Sequence, residues 1–543
     1  MNNCLFRSIY RLVVSVTLIS TLVACKQPEL PSGLVYCSEG NPSSFNPQLV
    51  TSGTTVDATS HQLYDHLVEF DARSGLVMPG LAVSWNISAD QKTYTFHLRE
   101  GVQFHHSRLF TPTRTLNSQD VLFSFNRIID KKNPFHSISS TGYPFFQGID
   151  FSGLVKTISA PDETTVVFKL NHKDASFLAN LASDFAVILS QEYATQLLKR
   201  RTPEEIDKQP IGTGPFVFKD YAKNEYIRYT RNEEYWGDKA KVQNLVFDIT
   251  RKSSQRLAKL ITRDCSVSAL PKPDEIKVVN QNHHIELQQQ KGMNVAYWAF
   301  NTKKAPFNNP KVRQALSLAI NKKAILKAVY HNTASEAKSI LPPASWAQTD
   351  VYNDIYNPVR ARKLLKEAGV QNLEMSVWAM PTARAYNPNP IKTAQLLQAD
   401  LALIGVRATI VSYDWSVFLD KLNAATYDSV LIGWDADNSD PDNFFSPFLS
   451  CASLRSNNNR SHWCNQKLDE LLTKAKSMTS HQDRKVIYQQ AEKFIYKQKP
   501  IVPLVHSNRM ILKRADIQGV HLSPFGGISF AHASHVAAQD NNK

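Results

Sequence analysis

Hydrophobic and polar positions follow two textures along this chain. Positions 34–37 form a short apolar run, and Thr93-Tyr-Thr-Phe-His-Leu98 alternates apolar with polar residues. Positions 164–170 read as another strand, behind a turn at Asp162-Glu163. Such patterns mark buried or half-buried strands, so the first half is strand-rich. Near Gly292 the texture changes. Asn309-Pro310 supplies a cap and a first-turn proline, after which Val312, Ala315, Leu316, Ala319 and Ile320 share one helical face. A second helix is predicted over 360–367, with Gly369 as its stop.

The segment 375–442 carries the clearest pattern. An apolar strand over 375–380 leads into the loop Pro381-Thr-Ala-Arg-Ala-Tyr-Asn-Pro-Asn-Pro390. Ala394, Leu397, Leu401 and Ile404 then mark a helix closed by Gly405, and Val406, Ala408 and Ile410 alternate as the next strand. A short helix over 415–422 precedes the buried strand Val430-Leu-Ile-Gly-Trp434, which runs into Asp435-Ala-Asp-Asn-Ser-Asp-Pro-Asp442. Strand–helix–strand–helix–strand predicts an α/β fold with a mostly parallel sheet covered on both faces. Ligands of such sheets sit outside the carboxyl ends of the strands. Loops 381–390 and 435–442 both emerge there, one with Arg384 and the other with four carboxylates.

Composition narrows the class. With 543 residues, 42% hydrophobic and 20% charged, the chain can bury large cores, which excludes a disordered or mini-protein reading. Lys plus Arg is 62 against 48 Asp plus Glu, a formal charge of +14. The basic residues are thinly spread, and no basic stripe with interleaved aromatics points to nucleic acid. Arg7 and Arg11 precede an apolar run from Leu12 to Val23, too short to span a bilayer and typical of a secretory signal over 1–24. Leu22-Val23-Ala24-Cys25 resembles a bacterial lipobox, in which Cys25 is acylated. Plain cleavage or an ordinary Cys is the alternative. Residues 25–33 read as a tether. Four cysteines then remain, Cys37, Cys265, Cys451 and Cys464, which allow three pairings. The 13-residue spacing of the last two favours a local staple, leaving Cys37 with Cys265.

Chemistry is sparse. Counted from Asp435, an EF-hand fails, with Asp440 at the glycine position and Ser446 at the glutamate position. No hydrolase, zincin or phosphate-loop motif occurs, and Gly212-Thr-Gly-Pro-Phe216 reads as a turn. The adjacent pairs His105-His106 and His283-His284 do not suit a shared metal, so no metal, cofactor or catalytic residue is expected. An Arg fork matches a carboxylate and a buried Asp matches an ammonium, so the two loops suit a zwitterion. A structural ion pair between Arg384 and an acidic loop residue stands equally open.

Taken in order, several motifs resemble the large periplasmic peptide-binding proteins of ABC importers, specifically the dipeptide-binding subgroup. They are Val35-Tyr-Cys-Ser-Glu-Gly40, Phe45-Asn-Pro-Gln48, Thr51-Ser-Gly-Thr-Thr55, Phe110-Thr-Pro-Thr-Arg114, Pro210-Ile-Gly-Thr-Gly-Pro-Phe216, Tyr386-Asn-Pro-Asn389 and Ser439-Asp-Pro-Asp-Asn-Phe444. The resemblance implies a two-lobe clamp. Lobe I takes 34–291 plus 509–543, with an extra subdomain over 65–212, and lobe II takes 292–508. It implies that Arg384 holds the peptide carboxylate and Asp437 its ammonium, with Thr51, Ala385, Tyr386, Trp434 and Ala436 against the peptide main chain. It also supports the disulfides Cys37–Cys265 and Cys451–Cys464. The expected partners are a small peptide, an inner-membrane ABC permease and, through Cys25, a bacterial membrane, with the protein a periplasmic monomer.

Two departures stand out. Asp435 and Ala436 flank the key Asp where the subgroup has small neutral residues. A second carboxylate would add attraction for an ammonium at a desolvation cost, and the Ala436 Cβ would press on the ligand backbone. Lipoprotein relatives associated with haem or glutathione make those anionic ligands the alternative, which the basic chain favours. An exported hydrolase is a distant third reading.

Overall fold

The computed structural model describes residues 33–71, 76–140, 142–352 and 354–536. The predicted signal, most of the tether and Cys25 lie outside the described residues. A mixed sheet of twelve strands runs through the molecule. From one edge its order is Arg407–Val411, Glu374–Ala379, Ser429–Asp435, Asn294–Phe300, Ile501–Arg514, Val267–Ala269, Gly33–Ser38, Asn244–Ile249, Tyr226–Arg231 and Phe216–Ala222. Ile285–Lys291 and Ala334–Glu336 pair with Ile501–Arg514 as well.

Ile501–Arg514 is the central element. Its first part pairs antiparallel with Asn294–Phe300, and its last part pairs with Ile285–Lys291 and Val267–Ala269. Two hydrophobic cores form on either side of this change of partner. One gathers residues from Leu34 to Ala269 with a C-terminal set from Ile511 to Ala533. The other gathers residues from Met293 to Val505 with Phe525. The first also covers an antiparallel sheet of order Ala82–Ile87, Thr93–Leu98, Thr165–Leu170, Val155–Asp162.

The expected parallel unit is present. Glu374–Ala379 lies parallel to both Arg407–Val411 and Ser429–Asp435, and the helices Pro390–Ala402 and Trp415–Asn423 connect them. The cap at Asn309 is present too, its side chain accepting the Lys311 N–H ahead of Pro310–Leu318. Cys37 is bonded to Cys265, and Cys451 to Cys464. The turn at Gly212 has a specific cause, because a Cβ there would collide with the Leu63 carbonyl. Gly214 packs on the same backbone and donates its N–H to Leu63 O at 3.0 Å. Of the histidine pairs, His105 is buried and bonds the Gly214 carbonyl at 2.9 Å.

Candidate functional site

Loops 381–390 and 435–442 leave the carboxyl ends of adjacent parallel strands, as their sequence order requires. Each is pinned from below. Arg384 and Asn387 exchange backbone hydrogen bonds of 3.0 Å, the Ser507 hydroxyl donates to Ala385 O at 2.6 Å, and Tyr330 donates to Tyr386 O at 2.8 Å. In the second loop Asn443 is the organiser. Its Oδ1 accepts the Trp434 indole N–H at 3.0 Å and the Asp437 N–H at 2.9 Å, while its Nδ2 donates to Asp437 Oδ2 at 3.1 Å. Asn443 therefore fixes both the aromatic wall and the carboxylate.

A cavity of about 520 Å³ opens above these loops and is shared with the first core. That size is in the range of small-molecule sites. Thr51, Arg384, Ala385, Tyr386, Trp434, Asp435 and Asp437 all line it. Ala436 does not. It is fully buried in the second core, with its N–H on Met293 O at 2.7 Å, so its Cβ is kept from the ligand position expected for it. The four loop carboxylates also divide. Asp440 pairs with Arg484 at 2.8 Å and Asp442 accepts from Ser446 at 2.7 Å, leaving Asp435 and Asp437 on the cavity.

Charge in the cavity is unevenly matched. Burial raises the pKa of Asp435, against the opposing fields of Arg509 and Arg384. Asp435 thus lies in the field of two arginines. Burial holds Asp437 well above the usual carboxylate range, and Asp184 and Asp435 push it the same way, opposed only by the Asn443 hydrogen bond. No cation among the described residues stands against it. Across the cavity, Asp184 pairs with His61 at 2.7 Å; burial opposes the imidazolium, but the carboxylate outweighs it and lifts His61 to about 8. Burial and the Glu39 carboxylate raise Asp57.

Sequence reasoning missed Glu39, Asp57, Asp184, Asn443, Arg460 and Arg509. Glu39, Asp57 and Asn443 lie in or beside the motifs quoted above, so position pointed to them although role did not. Arg460 and Arg509 stand in stretches without any periodic or motif signal.

The family model of the bacterial extracellular solute-binding proteins, family 5 Middle, matches residues 77–455. The chain is 44% identical over 503 residues to the dipeptide-binding protein of Escherichia coli K12, covering 92% of this chain and 94% of that one. It is 42% identical over 498 residues to heme-binding protein A of Haemophilus influenzae Rd, covering 91% of each. The crystal structure of a dipeptide-binding protein from Pseudoalteromonas sp. SM9913 in complex with Met-Leu superposes with a TM-score of 0.90 at 44% identity. That match covers 93% of this chain and 100% of the other. The chain belongs to the bacterial extracellular solute-binding proteins of family 5, and its α/β architecture is that of the two-lobe periplasmic peptide binders.

Proposed function

We propose that the chain is the peptide-binding component of an ABC importer, holding a dipeptide or small peptide in this cavity and passing it to an inner-membrane permease. One observation carries the reading. Asp437 is a buried acid on the cavity wall whose ionised form is opposed by burial and by the fields of Asp184 and Asp435, so a cation from the ligand is the group that would stabilise its carboxylate. A peptide ammonium supplies that cation, and Arg384 on the neighbouring loop takes the peptide carboxylate. Haem has no ammonium and leaves Asp437 uncompensated, which ranks it below a peptide although a relative is named for haem. Glutathione carries an ammonium and is the competitor to include in titrations. The domain limits given above belong to this reading, with residues 285–294 and 505–509 as crossovers between lobes. So does a lipid anchor on Cys25, which the mass of the N-terminal peptide tests: an unacylated Cys25 removes it.

Calorimetric titration with free and capped dipeptides tests the clamp. Removing one partner of a buried charge pair costs roughly 2–5 kcal/mol. Arg384→Ala and Asp437→Ala should each weaken binding about 30-fold or more at 1.4 kcal/mol per decade. A C-terminal amide should bind wild type poorly yet lose little more in Arg384→Ala, and an N-acetyl dipeptide should behave likewise with Asp437→Ala. Capped and free dipeptides of equal affinity for wild type would refute the clamp.

A further inference from the structure

Among the described residues three guanidiniums line the cavity, and they differ in what faces them. Arg384 and Arg509 both lie in the field of Asp435, and Arg509 also in that of Asp57. Arg509 further donates to the carbonyls of Ser523 and Gly527. Arg460 has no such company. Among the described residues its half-buried side chain makes one hydrogen bond, Nη1 to the neutral Asn423 Oδ1 at 2.9 Å. The titratable groups that act on it are the phenols of Tyr427, Tyr297 and Tyr386, whose own pKa values burial raises, so they stay neutral. Burial pushes the Arg460 pKa down, and no carboxylate among the described residues opposes it.

A second donor stands beside it. Asn458 also lines the cavity, and its Nδ2 is buried without an acceptor. The Arg460 N–H bonds the Asn458 carbonyl at 2.9 Å, a tight local turn. Asn459 between them is committed elsewhere, with Nδ2 on the carbonyls of Ser450 and Trp463. The Cys451–Cys464 disulfide closes this segment into a loop. A guanidinium with four of its five N–H groups unused and an orphaned amide donor together call for an acceptor with two oxygens.

We propose that Arg460 and Asn458 form a second anion subsite of the cavity, which takes the carboxylate of an acidic side chain on the bound peptide. This rests on the peptide reading and deepens it, since the main-chain carboxylate is already assigned to Arg384. The ligand class becomes peptides with one ammonium and two carboxylates. Arg460 is half-buried, so a ligand that covers it without offering a carboxylate leaves its charge desolvated and uncompensated, which a neutral side chain cannot relieve.

Calorimetry with Ala-Gln, Ala-Glu, Gln-Ala and Glu-Ala reads the subsite, because each pair differs by one charge at nearly constant shape. Wild type should prefer the glutamyl member of at least one pair about tenfold or more, a modest figure for a desolvated charge pair. The responding pair identifies the position. Arg460→Gln, which can still bond Asn423, should bring that ratio close to one, and Arg460→Lys should restore part of it. Asn458→Ala should narrow the ratio too and serves as the second variant where Arg460→Gln folds poorly. The ratio is the readout, so a general loss of affinity does not mimic the result. Equal binding of glutamyl and glutaminyl peptides by wild type, or a ratio unchanged in Arg460→Gln, overturns the subsite while leaving the peptide clamp intact. Binding of none of the four overturns the clamp itself and the subsite with it.

Discussion

Glu492 shows how one buried carboxyl outside the cavity lining sets a pH dependence. It lies in the second lobe's core, its Oε1 accepting the Ser339 hydroxyl at 2.6 Å and the Ile340 N–H at 2.7 Å, while Oε2 has no hydrogen-bond partner among the described residues. Burial outweighs these hydrogen bonds and lifts it to about 7. A carboxyl raised on folding binds more protons in the native than in the unfolded state. Stability is therefore full below the ordinary glutamate range and declines as pH climbs through about 7. Glu492→Gln keeps the Oε1 acceptor and cannot ionise. Its unfolding free energy minus that of wild type should rise by roughly 2–3 kcal/mol between pH 5 and pH 8, measured by urea denaturation. A difference flat with pH would place the Glu492 pKa in the ordinary range. Residue roles of this kind were mostly hidden in the sequence. Arg384 and Asp437 were visible because each sits directly after an apolar strand. Arg460 was not, since its meaning comes from the absence of a carboxylate near it, a property of the folded neighbourhood.

At the level of elements the sequence reads well wherever one face is wet. The strand Thr93–Leu98 alternates buried and half-buried positions, and each segment of the parallel unit shows its own period. Ile501–Arg514 escaped notice because its first seven residues are all buried, which erases alternation. Gly433 within Ser429–Asp435 carries a constraint that only packing exposes. A Cβ there would collide with the Tyr386 ring, which is held by its carbonyl on Tyr330 and lines the cavity opposite. Gly433→Ala forces the ring, and the 381–390 loop behind it, toward the ligand space. Overpacking of this kind costs about 1–3 kcal/mol. The variant should melt earlier and bind dipeptide more weakly, whereas Gly433→Ala added to Tyr386→Leu, where the ring is already gone, should cost little further affinity. An unchanged affinity in the single variant would show that the ring position does not shape the site.

Across the whole molecule, the two cores also meet through contacts outside the crossover strands. The Ala175 N–H bonds the Lys476 carbonyl at 2.8 Å, Asn438 Nδ2 donates to Asn180 Oδ1 at 3.1 Å, and Arg455 pairs with Asp150 at 2.5 Å. The less exposed of the ion pairs is that of Lys476, whose Nζ stands 3.8 Å from Asp174 on the first lobe and 3.8 Å from Asp442 on the second. Burial raises Asp442 to about 6, while Lys476 pulls it the other way. Neutralising the lysine leaves two buried carboxylates facing each other across the lobe boundary. Removing one partner of such a set costs roughly 3–5 kcal/mol, and separating the lobes relieves it by rehydrating both acids. Lys476→Met should therefore favour the separated arrangement. Apparent affinity then falls in proportion to the fraction of molecules still competent to bind. Small-angle scattering should show a larger radius of gyration for Lys476→Met than for wild type, and calorimetry a weaker dipeptide Kd, although Lys476 does not line the cavity. Adding Asp442→Asn removes the exposed repulsion and should recover both readouts in part. A wild-type radius with undiminished affinity in Lys476→Met would show that this triad does not hold the lobes together, and the neutral Asn438–Asn180 and backbone contacts would be left to do so.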